Sequence, residues 1–283
     1  MILLDRSTVV NKLHEMELEH GIRIIFAVEA GSRAWGYAHE GSDIDVRFVY
    51  IQLPWEKSIS STLDTVRFMG LVKMPVGAVT HNIAMDITGF ELRKFVQKLT
   101  ASDMTMYETL HSPNVIAIGK MFYDHLIDVA EYYRNNHTLY NASIDQAKRH
   151  LYIDGKNRKG DTVTAKSLLL GLRFTLIAKT LSEFLRFEPR VGNLIRLNNL
   201  DWIEAAVVWL TSNRSASAEM LLENEHAESI VEFYGAVRKQ CPAPSGKRNH
   251  DMAVADEHHG FISQKVIMHN EIMGVLHLDS GVK

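Results

Sequence analysis

The most constraining feature of the sequence is the stretch from Ala27 to Tyr50, which reads AVEAGSRAWGYAHEGSDIDVRFVY. It places Asp43 and Asp45 two residues apart at the head of an apolar run. In a strand, residues i and i+2 point to the same face, so the spacing predicts two carboxylates side by side. Two like charges so close favour a bound proton or cation. Because Mg²⁺ prefers oxygen ligands, the sequence predicts a divalent-metal site here.

A second feature of this stretch is the pair Gly31-Ser32, which follows a predicted strand over Ile22–Glu29 and precedes a predicted helical turn over Arg33–Tyr37. Glycine allows backbone N–H groups to approach an anion closely, and the serine hydroxyl adds a further donor. Gly-Ser alone is common in ordinary turns, and an Asp pair alone fits a solvated strand end. Together, a phosphate-binding turn and a metal site indicate phosphoryl or nucleotidyl transfer.

The combined pattern resembles the signature of the DNA polymerase β superfamily of nucleotidyltransferases. The sequence reads E-x-G-S-R-A-W-G over residues 29–36 and S-D-I-D-V-R-F over residues 42–48, with Gly36 between the two aspartates and the Gly-Ser pair. This extended form is closest to the bacterial and phage group associated with RNA repair. The resemblance implies an α+β fold, in which a palm-like mixed or antiparallel sheet with flanking helices is followed by a helical domain.

The resemblance also implies a third catalytic carboxylate on a neighbouring strand, and Asp86 is the candidate by position and context. It ends a predicted strand over Val79–Ile87, and another strand is predicted over Thr65–Met69. The alternative for Asp86 is a position at the start of the helix predicted over Phe90–Leu99. Both roles are compatible. Asp43, Asp45 and Asp86 are therefore the predicted catalytic residues and metal ligands.

Strand signals fade after Lys120, where long helical patterns begin. The sequence thus predicts a catalytic domain over 1–118, a helical domain over 119–240 and a C-terminal tail over 241–283. The predicted helices of the second part are Phe122–Tyr133, Ile144–Tyr152, Thr164–Phe187 and Trp202–Leu210.

A nucleoside triphosphate needs cations beyond the metal. Lys166 and Arg173 are seven residues apart and share a helix face. The resemblance places a Lys and an Arg in comparable context, and the alternative is a solvated helix face. Gly31, Ser32 and Arg33 complete the predicted nucleotide-binding set. For Arg33 the alternative is an ion pair with Glu29, and Arg47 either offsets the repulsion between the carboxylates or contacts substrate.

A basic cluster and a histidine-rich cluster each have a simpler explanation than a binding site. Lys156, Arg158 and Lys159 either follow an RNA backbone or belong to a surface loop, and the loop is favoured. The tail contains a set of potential zinc ligands: His250, Glu257, His258, His259, His269 and His277. They lack the paired spacing or cysteine partners of a zinc site, so an ordinary surface tail is favoured.

Composition limits the classes of protein. The net charge of −3 gives no global basic field, so contact with nucleic acid must come from a local patch. The single cysteine, Cys241, forms no internal disulfide, and no apolar run reaches the length of a membrane span. A cytoplasmic protein without membrane contact is expected.

The sequence therefore predicts a Mg²⁺-dependent enzyme, with Mn²⁺ as a substitute, that moves a nucleoside monophosphate from a nucleoside triphosphate to a hydroxyl group and releases pyrophosphate. RNA, tRNA in particular, is the predicted acceptor. A protein adenylyltransferase, a small-molecule nucleotidyltransferase and a non-catalytic nucleotide sensor remain as alternatives. The choice of base and the oligomeric state are left open.

Overall fold

The computed structural model describes residues 6–39, 41–52, 65–76, 79–118, 120–151, 164–213 and 225–246. The basic loop at 156–159 and the tail histidines lie outside these ranges. The described residues fall into two compact units. Those within Met1–Ala34 and Glu40–Arg134 form unit 1, and those within Trp35–His39 and Asn135–Lys247 form unit 2. The domain bounds drawn from the sequence stay a prediction.

Unit 1 is built from five strands and their flanking helices. In chain order its elements are α1 (Arg6–His20), β1 (Ile22–Ala30), α2 (Gly31–Trp35, whose last residue belongs to unit 2), β2 (Ile44–Gln52), β3 (Thr65–Val76), β4 (Val79–Glu91), α3 (Leu92–Thr100), α4 (Met104–Leu110), β5 (Val115–Ile118) and α5 (Lys120–Tyr133). The strands form one sheet in the order β3-β4-β2-β1-β5. All neighbours are antiparallel except β2 and β4, which are parallel. The predicted α+β class with a mixed sheet is confirmed.

The sheet buries side chains on both faces. On one face, α1 contributes Val9, Leu13 and Met16 to a core that also contains alternate residues of β2, such as Val46 and Phe48. On the other face, Phe95 of α3 and Tyr123 of α5 pack edge-on against Phe26 of β1. Because β1 lies between two layers of helices, it is buried almost throughout, as its run of β-branched and aromatic residues predicts.

Several element boundaries differ from those predicted. The helical turn lies at Gly31–Trp35 rather than Arg33–Tyr37. Asp86 lies inside β4, and the following helix begins at Leu92, where the Glu91 carboxylate accepts from the Lys94 amide as N-cap. The alternative of Asp86 at a helix start is therefore wrong, because the strand continues to Glu91.

Unit 2 is helical in its described ranges. Its helices are α6 (Asn136–Leu151), α7 (Ala165–Phe184), α8 (Val191–Asn198), α9 (Asp201–Ser212) and α10 (Glu225–Gln240). The helix α6 starts eight residues before the predicted Ile144, because the Asn135 side chain accepts from the Thr138 amide at 3.0 Å and caps it. The central helix is α7, which packs against the other four. Among the helices of the described residues, none combines the length and apolarity needed to cross a bilayer.

Candidate active site

Two of the predicted carboxylates are neighbours across the sheet. In the parallel pairing of β2 with β4, Asp45 lies directly opposite Asp86. Adjacent strands are about 4.8 Å apart, and side chains at paired positions share a face, so the two carboxylates lie beside each other. Asp43 is exposed and directly precedes the first residue of β2. The register thus brings together residues separated by about forty positions of sequence.

The turn at Gly31 is in close contact with Asp45. Ala30 pairs with Asp45 across β1 and β2, and Gly31 follows with a φ of +66°. A Cβ atom on Gly31 would lie 1.9 Å from the Asp45 Oδ2 atom. Only glycine allows the backbone to pass so close to the carboxylate in this conformation. Ser32, half-buried, is the next residue, so the predicted phosphate-binding turn and Asp45 are adjacent.

Asp86 is held by an arginine that sequence reasoning missed. Arg67 on β3 donates from Nη2 to Asp86 Oδ2 at 2.6 Å and from Nε to Asp86 Oδ1 at 3.1 Å. The Thr88 hydroxyl adds a hydrogen bond to Asp86 at 3.3 Å. The hydrogen bond from Arg67 is the largest cause that lowers the pKa of Asp86, which is therefore a carboxylate at neutral pH. A metal ion at Asp86 would have to displace this arginine.

The chemistry of the donors fits a hard divalent cation, although the carboxylates are not gathered into a metal cluster. Within the described ranges, no group of three or more His, Cys, Asp or Glu side chains is arranged to hold a metal ion. Asp45 and Asp86 nevertheless present only carboxylate oxygens, the ligand type that Mg²⁺ and Mn²⁺ prefer. Binding of a divalent cation by Asp86 therefore depends on Arg67 leaving this carboxylate.

Arg47 has a partner that the sequence did not indicate. Its Nη1 atom lies 3.5 Å from Oε2 of Glu108, a buried residue of α4. Arg47 also pairs with Thr88 in the register of β2 and β4, and its charge contributes to the lowered pKa of Asp86. Arg47 therefore places positive charge beside Glu108 and Asp86, and its predicted role toward Asp43 and Asp45 or toward substrate stays a prediction.

Behind the Gly31 turn, a buried network fixes the end of β1. Arg33 Nε donates to Glu29 Oε1 at 2.5 Å, and Asn114 Nδ2 donates to Glu29 Oε2 at 2.7 Å. The Ser112 hydroxyl donates to the Glu29 carbonyl oxygen at 2.5 Å. Of the two roles considered for Arg33, the structure shows the ion pair with Glu29. This network ties α2 to the loop before β5 and so supports the turn.

The two cations predicted from α7 differ in their surroundings. Lys166 is exposed, whereas Arg173 is only 1% exposed. Arg173 Nε donates to the Pro189 carbonyl at 2.7 Å, and the guanidinium lies 4.6 Å from the centre of the Trp35 ring. Lys166 and Arg173 share a face of α7, and other helices cover this face at Arg173. A contact of Lys166 or Arg173 with nucleotide stays a prediction.

The residues that sequence reasoning missed share one property: their partners are distant in sequence. Arg67 acts on Asp86, Glu108 on Arg47, and Asn114 on Glu29. No local pattern marks them, since each contact arises from the pairing of strands or from the packing of a helix on the sheet. The tertiary register alone identifies them.

Two known proteins are similar to parts or most of this chain. A protein of Bacillus subtilis (strain 168) named YcgL, described as uncharacterized, is 34% identical over 108 residues, which are 38% of this chain. The chain spans 37% of the length of that curated relative. A nucleotidyltransferase-like protein from Exiguobacterium sibiricum 255-15, solved as a crystal structure, aligns with 93% of this chain and 79% of its own at 13% identity and a TM-score of 0.30.

A family model matches most of the chain. The model for the RNA repair pathway DNA polymerase beta family, RlaP, covers residues 6–259. The match includes every predicted catalytic residue and the whole of the Gly31 turn, and it confirms the resemblance found in the sequence. The chain therefore belongs to the RNA repair pathway DNA polymerase beta family.

Proposed function

We propose that the protein is a Mg²⁺-dependent nucleotidyltransferase that transfers a nucleoside monophosphate from a nucleoside triphosphate to a hydroxyl group of RNA. The observation that carries this proposal is the register of β2 and β4, in which Asp45 and Asp86 are direct neighbours beside the Gly31 turn. A carboxylate pair next to a phosphate-binding turn is what two-metal phosphoryl chemistry requires.

Each carboxylate has a proposed role. Asp43 and Asp45 bind divalent ions through their oxygens, and Asp86 joins them when Arg67 moves away. Bound there, Mg²⁺ or Mn²⁺ supplies Lewis acidity toward phosphoryl oxygens and lowers the pKa of an acceptor hydroxyl. In the reaction, the acceptor oxygen bonds to the α-phosphorus, the bond to the bridging oxygen breaks, and pyrophosphate leaves. The acceptor proton is released to water.

The Gly31 turn is proposed to bind the terminal phosphates. The Ser32 hydroxyl and the backbone N–H groups around Gly31 are donors that require no rearrangement, because the network of Glu29 and Arg33 already fixes the turn. Donors held in place before the reaction stabilise developing charge more than mobile ones do. Arg33 contributes by positioning and needs no contact with the nucleotide.

RNA is proposed as the acceptor on the basis of the family, whose description names an RNA repair pathway. The test is incubation with each α-³²P-labelled NTP, Mg²⁺ and total tRNA. The wild type is compared with Asp43→Asn/Asp45→Asn and with the matched control Asp128→Asn, an exposed aspartate on α5.

We expect label on RNA with the wild type and with Asp128→Asn, and none with the double variant. Label on a protein band instead of RNA would show that the acceptor is a protein. Transfer that persists in the double variant, or its absence with every NTP in the wild type, would contradict the proposal.

A further inference from the structure

The two strands β3 and β4 extend beyond the strand that carries Asp45. They pair continuously from Thr65 with Phe90 to Val76 with Val79. In contrast, β2 pairs with β4 only as far as Ile44 with Met85. Residues 71–76 and 79–84 therefore continue as a two-stranded ribbon, which begins two residues from Asp86. The ribbon leads directly away from the carboxylates.

The register decides which side chains of the ribbon lie on the face of the carboxylates. Phe68, Val72 and Ile83 pack against the core on the other face. Met69 pairs with Asp86, so the odd-numbered residues of β3 share the face of Asp86. We call the surface made by Arg67, Met69, Leu71 and Lys73 the β3 face.

The β3 face combines exposed apolar groups with positive charge. Met69 is 65% exposed and Leu71 is 71% exposed. Lys73 is exposed and pairs with exposed Asn82, and Arg67 lies at the other end beside Asp86. Large apolar side chains this exposed, flanked by polar groups, mark an interaction site.

The charge and the position of this surface favour one occupant. Arg67 and Lys73 flank the apolar pair of Met69 and Leu71. Asp86 is the one carboxylate among the described side chains of β3 and β4 on this part of the face. A polyanion that also carries apolar bases matches such a surface better than a basic or neutral partner. Its reacting end must lie at Asp86. A chain that leaves Asp86 along β3 crosses Met69 and Leu71, which are about 7 Å apart along the strand.

We propose that the β3 face binds the single-stranded 3′ segment of the RNA acceptor, with bases on Met69 and Leu71 and a phosphate at Lys73. This inference rests on the proposed function, because it supplies the acceptor side of the same reaction. The apolar side chains give contact without choice of base, and the flanking cations orient the backbone.

The test measures binding separately from catalysis. A fluorescent single-stranded RNA oligonucleotide is titrated by anisotropy into Asp43→Asn/Asp45→Asn, so that no transfer occurs, with and without Met69→Ser/Leu71→Ser. The matched control is Leu18→Ser on α1, which replaces an apolar side chain that is 72% exposed and belongs to the other face. ATP binding is measured on every variant.

We expect Met69→Ser/Leu71→Ser to weaken RNA binding roughly tenfold, since two apolar side chains that the bases would cover are lost. Leu18→Ser should bind RNA as its parent does, and ATP binding should be equal in all variants. Lys73→Ala should reduce the slope of log affinity against log salt by about 0.7, the value for one phosphate of a single strand.

Unchanged RNA affinity in Met69→Ser/Leu71→Ser would overturn the inference. Normal labelling of RNA by a Met69→Ser/Leu71→Ser protein that keeps Asp43 and Asp45 would also overturn it. A protein that binds no RNA and labels a protein acceptor only when Met69 and Leu71 are present would also overturn it. Failure of the proposed function looks different: RNA would bind the β3 face and no NTP would react.

Discussion

The contact between Gly31 and Asp45 gives the sharpest structural prediction. In Gly31→Ala, the new Cβ would lie 1.9 Å from the Asp45 Oδ2 atom. Nonbonded heavy atoms rest about 3.5 Å apart, so the carboxylate or the turn must move by more than about 1 Å. A shift of that size in a catalytic group costs about a hundredfold in rate. The φ of +66° adds roughly 1–2 kcal/mol of backbone strain for alanine.

Gly36→Ala is the matched control for this experiment. Gly36 also has a positive φ, +89°, but a Cβ on Gly36 would have no heavy atom within 4 Å. Both substitutions therefore introduce backbone strain, and only Gly31→Ala displaces Asp45. The assays are urea unfolding, for the free energy of unfolding, and the initial rate of label transfer.

We expect both variants to lose roughly 1–2 kcal/mol of stability from backbone strain. The transfer rate should fall about a hundredfold in Gly31→Ala and by less than about tenfold in Gly36→Ala. Equal transfer rates in the two variants would refute the argument that the turn and Asp45 act as one fitted unit.

Three other predictions concern single contacts and the metal. Tyr107→Phe removes a buried hydroxyl that donates to the Ala130 carbonyl at 2.7 Å, so the free energy of unfolding should fall by about 1–3 kcal/mol, and no change would contradict the role of this bond. Arg67→Gln removes the ion pair that lowers the pKa of Asp86. This ion pair stabilises the folded wild type above the unfolded-state pKa of Asp86, and the stabilisation is lost as pH falls through the lower folded-state pKa. The stability difference between wild type and Arg67→Gln should therefore shrink below about pH 4, and a difference that is constant from pH 2 to 7 would contradict this. Finally, EDTA should abolish transfer and added Mg²⁺ or Mn²⁺ should restore it, whereas full transfer in EDTA would show that no divalent ion takes part.

Local sequence patterns were sufficient for part of the fold and site. The β-branched run of β1 is typical of a buried strand, so this strand was predicted closely. Asp45 lies at the head of β2 and Asp43 just before it, as their place at the start of an apolar run predicts. Gly31 could be recognised because the predicted phosphate-binding turn requires a residue without a Cβ atom.

Tertiary register and burial were beyond a local pattern. The neighbourhood of Asp45 and Asp86 depends on the parallel pairing of β2 with β4, and the Arg67 contact depends on β3 lying next to β4. Periodicity assigned Lys166 and Arg173 to one helix face but contains no information on which part of that face other helices cover. Arg173 is buried because other helices cover its part of the face.

The proposed function requires Asp45 to be a ligand of the catalytic metal ion. Electron paramagnetic resonance of Mn²⁺, titrated into the protein with a nonhydrolysable NTP analogue, measures that directly. We expect bound Mn²⁺ in the wild type and in Asp128→Asn, with at least one bound ion lost in Asp45→Asn. Equal Mn²⁺ binding by Asp45→Asn and the wild type would contradict this role of Asp45.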